Sequence, residues 1–141
     1  GIRDDLVTGV QTCALPIYDM VNRLDAVNAA SAQLINACES LSWLDLDRFE
    51  LAVTEALNNA VIHGSDPDQT DRIIVQAEIR SSDVTVRVRD PLGTLDASML
   101  TPEHAVSDEA CSGRGLNIIQ ALAQNVEIVD GVLVITFGNT V

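Results

Sequence analysis

Residues 50–64 read ELAVTEALNNAVIHG. At about 3.6 residues per turn, this stretch predicts a helix with one apolar stripe that can pack against a sheet. The stripe consists of Phe49, Val53, Ala56, Leu57, Ala60 and Val61. A second stripe borders it and carries Glu55, Asn59 and His63 at intervals of four residues. These three polar side chains are therefore expected one helical turn apart along a single line.

The polar stripe has two interpretations. Oxygen atoms from a carboxylate and a carboxamide are ligands that Mg²⁺ accepts, with substrate phosphates and waters in the remaining positions. Alternatively, the helix is structural and half-exposed, with polar residues at its rim. This stretch alone does not separate the two.

Composition limits the class of protein. A chain of 141 residues, 47% of them hydrophobic, fits one domain with a sizeable core. Twenty-one acidic residues against eight arginines and no lysine give a formal charge of −13. Such a surface repels nucleic acid and anionic lipid, so neither is expected as a partner.

Cysteine spacing and hydropathy point to the cytoplasm. Cys13, Cys38 and Cys111 have no metal-ligand spacing and form no obvious disulfide framework, as expected in a reducing compartment. No apolar run approaches the roughly 20 residues that span a bilayer.

The first residues are expected to be foreign to the protein. Residues 7–17, VTGVQTCALPI, resemble one translated frame of a common sequencing adapter. Residues 1–17 are therefore predicted to be a non-native leader. Residues 18–141 are then a single domain that has lost its native start. The alternative is a genuine N-terminal segment that pairs as an edge strand.

Hydrophobic periodicity predicts two helices and then two strands. The first helix is expected from Arg23 to about Leu44. The second is expected from about Asp47 to His63, capped by Asp45 or Asp47 and ended by Gly64. Residues 73–80 and 84–89 read as strands joined by a short hairpin connection.

Two later segments could contact a ligand. Asp90 and Gly93 follow the second strand, where a carboxylate can accept a hydrogen bond from an exocyclic amine and glycine allows close approach to a ring. An ordinary turn explains the same residues. Residues 96–112 are polar and irregular, as in a lid.

A glycine-flanked helix start follows this segment. Gly113, Arg114, Gly115 and Leu116 open a helical pattern whose free amide groups and dipole favour phosphate oxygens. Alternatively, the glycines only permit a tight loop. Residues 125–129 and 132–137 are expected to form a closing hairpin that turns at Asp130 and Gly131.

Taken in order, these motifs resemble the Bergerat, or GHKL, ATP-binding fold. Within it the chain is most similar to the anti-sigma-factor serine kinases of bacterial partner-switching systems. The resemblance covers Leu24 to Phe137, and its most specific pieces are ELAVTEALNNAVIHG and GRGLNIIQAL. It implies an α/β two-layer sandwich with helices on one face of a mixed, mostly antiparallel sheet.

The resemblance also implies roles for individual residues. Glu55 would be the general base, and Asn59 would bind the Mg²⁺ that bridges the phosphates of ATP. His63 would lie beside the nucleotide, Asp90 would hold the adenine amino group, and Gly93 would let the base approach. The phosphates would be wrapped by Gly113, Arg114, Gly115 and Leu116.

The activity implied is transfer of the γ-phosphoryl group to a serine of an anti-anti-sigma (STAS-type) partner, with sequestration of a sigma factor. Such kinases also commonly form homodimers. One departure favours an alternative: the family's Asp-x-Gly-x-Gly has Leu92 and Thr94 at its glycine positions, with Gly93 between them. The alternative is a catalytically degenerate Bergerat module that regulates by binding nucleotide or protein. A third interpretation is that the chain is a fragment of a larger histidine kinase.

Overall fold

Three helices and five strands are found in the part of the chain that the computed structural model describes, which is residues 11–17, 23–63, 73–89, 100 and 111–139. The helices are α1 (Arg23–Cys38), α2 (Leu46–His63) and α3 (Cys111–Leu122). The strands are β1 (Gln11–Ile17), β2 (Ile73–Ile79), β3 (Asp83–Arg89), β4 (Asn125–Val129) and β5 (Val132–Gly138). None of the described helices is long and apolar enough to cross a membrane.

Helix α1 ends about six residues earlier than its apolar spacing predicts. After Cys38 the backbone turns, with the amide of Leu41 bonded to the carbonyl of Cys38 and that of Leu44 to Leu41. The indole Nε1 of Trp43 donates to the carbonyl of Ser81, 2.8 Å away. The apolar residues beyond Cys38 therefore pack on the core from a turn that reaches the β2–β3 hairpin.

Asp45 caps α2, and it is one of the two capping residues that the sequence predicted. Its Oδ1 accepts hydrogen bonds from the backbone amides of Asp47 (3.1 Å) and Arg48 (3.2 Å). These amides belong to the first turn, where no helical carbonyl is available to them. The cap fixes where the helix begins.

We expect Asp45→Ala to lower the free energy of unfolding by about 1 kcal/mol, because two first-turn amides lose their acceptor. Urea denaturation monitored by circular dichroism measures this change. The control is Asp47→Ala, which removes a first-turn carboxylate that accepts neither bond and should have a smaller effect. Equal losses in the two variants would contradict the assignment of the cap.

The strands form one sheet in the order β1-β2-β3-β5-β4, and every pairing within it is antiparallel. The predicted closing hairpin is confirmed: β4 and β5 are joined by Asp130 (φ 52°) and Gly131 (φ 77°). Positive φ at both central residues is typical of a type I′ turn, and Asp-Gly is a favoured pair there. The turn fixes the register of the hairpin.

The edge strand β1 lies within the predicted leader. Gln11–Ile17 pairs with β2, Gln11 opposite Ile79 and Ile17 opposite Ile73. The structure therefore has the edge strand that was the alternative interpretation of this segment. The foreign origin of residues 1–17, and the loss of a native start, stay predictions.

The helices cover one face of the sheet. Alternate residues of β2, β3 and β5 are buried in register with one another, for example Val75 with Val88 and Val86 with Ile135. They share one hydrophobic cluster with residues of all three helices. The predicted α/β two-layer sandwich with helices on one face is confirmed, and the parallel pairing that a mixed sheet would contain is absent among the described strands.

Candidate functional site

Helix α2 holds Glu55 and Asn59 at the border between its buried stripe and solvent. Both residues are half-buried. The residues that follow them, Ala56 and Ala60, are only 1% and 3% exposed. Because packed turns anchor both side chains, they project from fixed positions on the helix. His63 is the last residue of α2, and its side chain lies outside the described residues.

A buried hydroxyl pair fixes α2 against α1. Ser31 Oγ and Thr54 Oγ1 are 3.2 Å apart, and either can donate. Ser31 is 3% exposed, so an unpaired hydroxyl there would be unfavourable. The bond holds the turn of α2 that immediately precedes Glu55.

Asn59 has an unsatisfied polar atom. Its Nδ2 is buried and has no hydrogen-bond partner among the described residues. A buried donor without an acceptor costs about 1–3 kcal/mol, so a ligand that supplies an acceptor would remove that cost. Rotating the carboxamide by 180° instead presents its oxygen, which can bind a hard cation. The side chain therefore fits either a phosphate oxygen or Mg²⁺.

A metal ion at Asn59 would have few ligands from the protein. Among the described residues, no group of three His, Cys, Asp or Glu side chains is placed to hold a metal ion. Mg²⁺ in nucleotide sites usually takes one or two protein oxygens and completes its shell with phosphates and water. Asn59 fits that pattern.

Arg48 joins the start of α2 to the end of α3. Its Nη2 donates to the carbonyl of Ala121 (3.1 Å) and lies 3.5 Å from that of Leu122. The last carbonyls of a helix have no helical donor and carry partial negative charge, which a guanidinium complements. Sequence reasoning missed Arg48. The signal was a cation in the first turn of a helix, where the dipole disfavours it unless another partner compensates.

From the contacts between α2 and α3 we infer that the two helices run antiparallel, with their functional segments level with each other. They contact each other, and Arg48 brings the start of α2 to the end of α3. Glu55 lies seven residues after Arg48, and Arg114 lies seven residues before Ala121. At about 1.5 Å per residue both displacements are about 10 Å. The turns of α2 that carry Glu55 and Asn59 are therefore level with the first turns of α3.

The end of β3 lies at the same end of the molecule as the end of α2 and the start of α3. Phe49, near the start of α2, packs on Phe137, while the amide of Gln124, just after α3, donates to Thr136. Arg89, the last residue of β3, instead pairs with Val132 at the opposite end of β5. Arg89, the last described residue of β3, therefore lies at the end where α2 finishes and α3 begins.

The predicted helix start at 113–115 requires a correction. Helix α3 begins at Cys111, so the glycines lie within its first turns. In a helix with this start, Gly113 is the last residue whose amide lacks a helical acceptor, whereas the amides of Arg114, Gly115 and Leu116 bond within the helix. Leu116 is also 1% exposed. Of the four predicted phosphate ligands, Gly113 retains a free amide; the side chain of Arg114 lies outside the described residues.

Asp90 and Gly93 of the predicted adenine pocket lie outside the described residues, as does most of the predicted lid. Gly64, the predicted end of α2, also lies outside them. Of the predicted lid, Leu100 is described, as are Cys111 and Ser112, which begin α3 rather than continue an irregular segment. Leu100 packs on the core, and its carbonyl accepts a hydrogen bond from Nε2 of Gln120 on α3, 3.3 Å away. Leu100, which belongs to the segment predicted as a lid, is thus attached to α3.

A cleft of about 360 Å³ lies at the other end of the helices. It is lined by residues that include Trp43, Asp45, Arg48, Leu122 and Phe137. Arg48 and Leu122 place it at the start of α2 and the end of α3. It is therefore not part of the arrangement around Glu55 and Asn59.

Comparison with known families agrees with this geometry. The sequence profile described as "Histidine kinase-like ATPase domain" matches residues 20–140. A comparison with curated proteins gives no match. The family match spans both helices of the site and all of the sheet except β1, which supports ATP binding at the family level. The chain therefore belongs to the histidine kinase-like ATPase domain family.

Proposed function

We propose that this protein is an ATP- and Mg²⁺-dependent serine kinase of the anti-sigma-factor type, acting in the cytoplasm. Its substrate would be a serine of an anti-anti-sigma (STAS-type) protein, and it would also sequester a sigma factor. The observation that carries the proposal is the half-buried Glu55/Asn59 pair, level with the start of α3 and including an unsatisfied carboxamide. The subtype and partners rest on the resemblance of the motifs.

In the proposed reaction each group has a chemical role. Glu55 accepts the proton of the serine hydroxyl as its oxygen bonds to the γ-phosphorus. The bond from that phosphorus to the bridging oxygen breaks, and ADP leaves with the electron pair. Asn59 would hold Mg²⁺, which when bound supplies positive charge against the phosphates. The free amides at the start of α3 would contact phosphate oxygens.

Because the chain is strongly acidic, these positively charged groups are important for binding a triphosphate. The chain carries a formal charge of −13, so a triphosphate approaches an unfavourable field. Helix-start amides, Arg114 and a bound Mg²⁺ would offset it locally. Positioning and charge neutralisation are the main contributions an enzyme makes to phosphoryl transfer.

A second candidate is a degenerate module that binds nucleotide or protein without phosphorylating anything. The observation that favours it is the adenine-box sequence, where Leu92 and Thr94 stand at the family's glycine positions. Intact Glu55 and Asn59 favour the kinase. ATP binding without transfer to any STAS-type protein would select the degenerate module.

Binding is tested by thermal unfolding with and without Mg-ATP. At a hundredfold excess over the dissociation constant, a ligand stabilises the native state by about 2.7 kcal/mol, or roughly 10 °C for a domain of this size. We expect Asn59→Ala to abolish most of that shift, because the metal-bridged phosphates lose their protein ligand.

The matched control is Asn58→Ala, which removes the same functional group one residue earlier on α2. It should retain the shift. If the unchanged protein shows no stabilisation by Mg-ATP at millimolar concentration, the nucleotide assignment is wrong; if the two variants behave alike, Asn59 is not the ligand.

A further inference from the structure

Arg48 uses its guanidinium differently from two other arginines of the chain. Arg80 and Arg87 form ion pairs with carboxylates of the β2–β3 hairpin. Arg48 instead donates to the backbone carbonyl of Ala121 at the end of α3, although the chain contains 21 acidic residues against eight arginines. This side chain therefore links two helices, where the other two neutralise carboxylates.

The link is fixed at both of its ends. The backbone amide of Arg48 donates to Oδ1 of Asp45, the residue that caps α2, over 3.2 Å. Its Nη2 lies 3.1 Å from the carbonyl oxygen of Ala121. A cation at this place complements the partial negative charge of the helix end. The cap and the guanidinium together hold the start of α2 beside the end of α3.

Arg48 lies on the same side of α2 as the two site residues. At about 3.6 residues per turn, the residues seven and eleven positions later return to within about 20° of its direction. These residues are Glu55 and Asn59. The side of α2 that reaches α3 through Arg48 is therefore the side that carries both functional groups.

Small side chains follow Arg48 along α2. Ala52 lies one turn later and is fully buried, and Ala56 lies one turn beyond it at 1% exposure. Methyl groups form low ridges, so a helix that packs through them interlocks less with its neighbour than one with larger side chains. A polar contact at the end of the helix pair then has more influence on how far one helix is displaced along the other.

We propose that Arg48 is a positioning residue for phosphoryl transfer: by binding the end of α3, it sets the axial position of Glu55 relative to the start of α3. The inference rests on the proposed function, in which the phosphates bind at that start. Arg48 lies about 10 Å from Glu55 along the helix, so it acts through α2 and not on the substrate. A displacement of about 1 Å can lower a rate by as much as about 100-fold.

Arg48→Met tests the proposal, because it removes the hydrogen-bond donors and keeps an unbranched side chain. Transfer of phosphate to a purified STAS-type protein is measured at saturating Mg-ATP. We expect kcat to fall about tenfold, while KM for the protein substrate changes less than about twofold. Arg48→Lys retains a cation that can donate to the helix-end carbonyls, so its kcat should lie within about threefold of that of the unchanged chain.

The matched control is Arg80→Met, which removes the same group from the β2–β3 hairpin and should leave kcat unchanged. A double variant separates positioning from a general loss of structure. In a chain that already carries Glu55→Gln, Arg48→Met should lower kcat by less than about twofold, because the base that it positions is absent. A full loss in that chain as well, or equal kcat values for Arg48→Met and Arg80→Met, would overturn the proposal.

Hydrogen exchange of the nucleotide-free chain tests the helix contact without reference to kinase activity. In Arg48→Met, peptides from the last turn of α3 should exchange at least about twofold faster, because the helix end loses its donor. Arg80→Met should not show this change. An unchanged chain that transfers no phosphate would overturn the proposed function and this role of Arg48 together. An active chain in which exchange or kcat is insensitive to Arg48→Met would overturn the role of Arg48 alone.

Discussion

Replacing Glu55 with glutamine should lower the rate of phosphoryl transfer from ATP at least about 100-fold, while Mg-ATP binding is retained. General bases contribute about 10²–10⁴ to rates, and glutamine keeps the size of the side chain without accepting the proton. Glu55 is half-buried and held between packed turns of α2, so the substitution should not move the helix. The measurement is transfer of labelled phosphate to purified STAS-type proteins from the source genome.

Glu50→Gln provides the matched control. Glu50 lies on the same helix but is exposed, so its loss should leave transfer unchanged. Thermal unfolding with Mg-ATP separates binding from chemistry in both variants. Undiminished transfer by the Glu55 variant would remove Glu55 from the mechanism, even if the nucleotide binds as proposed.

Phe49→Ala is expected to lower the free energy of unfolding by about 3–5 kcal/mol. The ring is fully buried at the end of the helical layer, with its centroid 5.1 Å from that of Phe137 in an edge-to-face arrangement of 69°. Its removal leaves a cavity and ends that aromatic contact. Because domains are typically stable by about 5–15 kcal/mol, this single change should remove a large share of the total. Urea denaturation, with the slope of the transition compared between variants, measures it.

Leu51→Ala is the control for this prediction. Leu51 is two residues away on α2 and 46% exposed, so its truncation should change stability by no more than about 0.5 kcal/mol. A Phe49 variant as stable as the Leu51 variant would mean that α2 does not pack on the end of β5.

Local patterns were sufficient to predict much of this fold. The apolar stripe from Phe49 to Val61 is buried, because spacing on a helix determines which side chains share a face. Asp45 caps α2, and Asp130-Gly131 turns the last hairpin, because both depend on interactions within a few residues of sequence. These elements are recognisable without knowledge of what they contact.

Interactions between distant residues were not predictable in this way. Leu41 continues the helical period of α1, yet it lies in a turn, and Trp43 of that turn bonds to Ser81 in a separate hairpin. Glycine inside a helix costs about 1 kcal/mol relative to alanine. The sequence therefore predicted that α3 begins at 113–115. Packing of Leu116 and Ile119 in the core outweighs that preference, so the helix extends back to Cys111. The bond from Arg48 to Ala121 spans 73 residues and has no local pattern.

The candidate site also combines residues that local sequence predicts with an arrangement that depends on distant parts of the chain. Glu55 and Asn59 were identified by their spacing on one helix, and the structure keeps them at the border of the core. Their position relative to α3 depends on the antiparallel packing of two helices that are far apart in the chain. The roles of Asp90 and Gly93, which lie outside the described residues, stay predictions.

The indole of Trp43 has a practical consequence, since it is the sole tryptophan of the chain. It is half-buried, bonded to Ser81, and lines the cleft at the end of the helices away from Glu55. Tryptophan emission therefore comes from a single known location and reports whether the turn after α1 remains docked on the β2–β3 hairpin. A spectral change on adding nucleotide would arise from motion transmitted along α2 or α3, since the fluorophore lies too far from the site to touch the base.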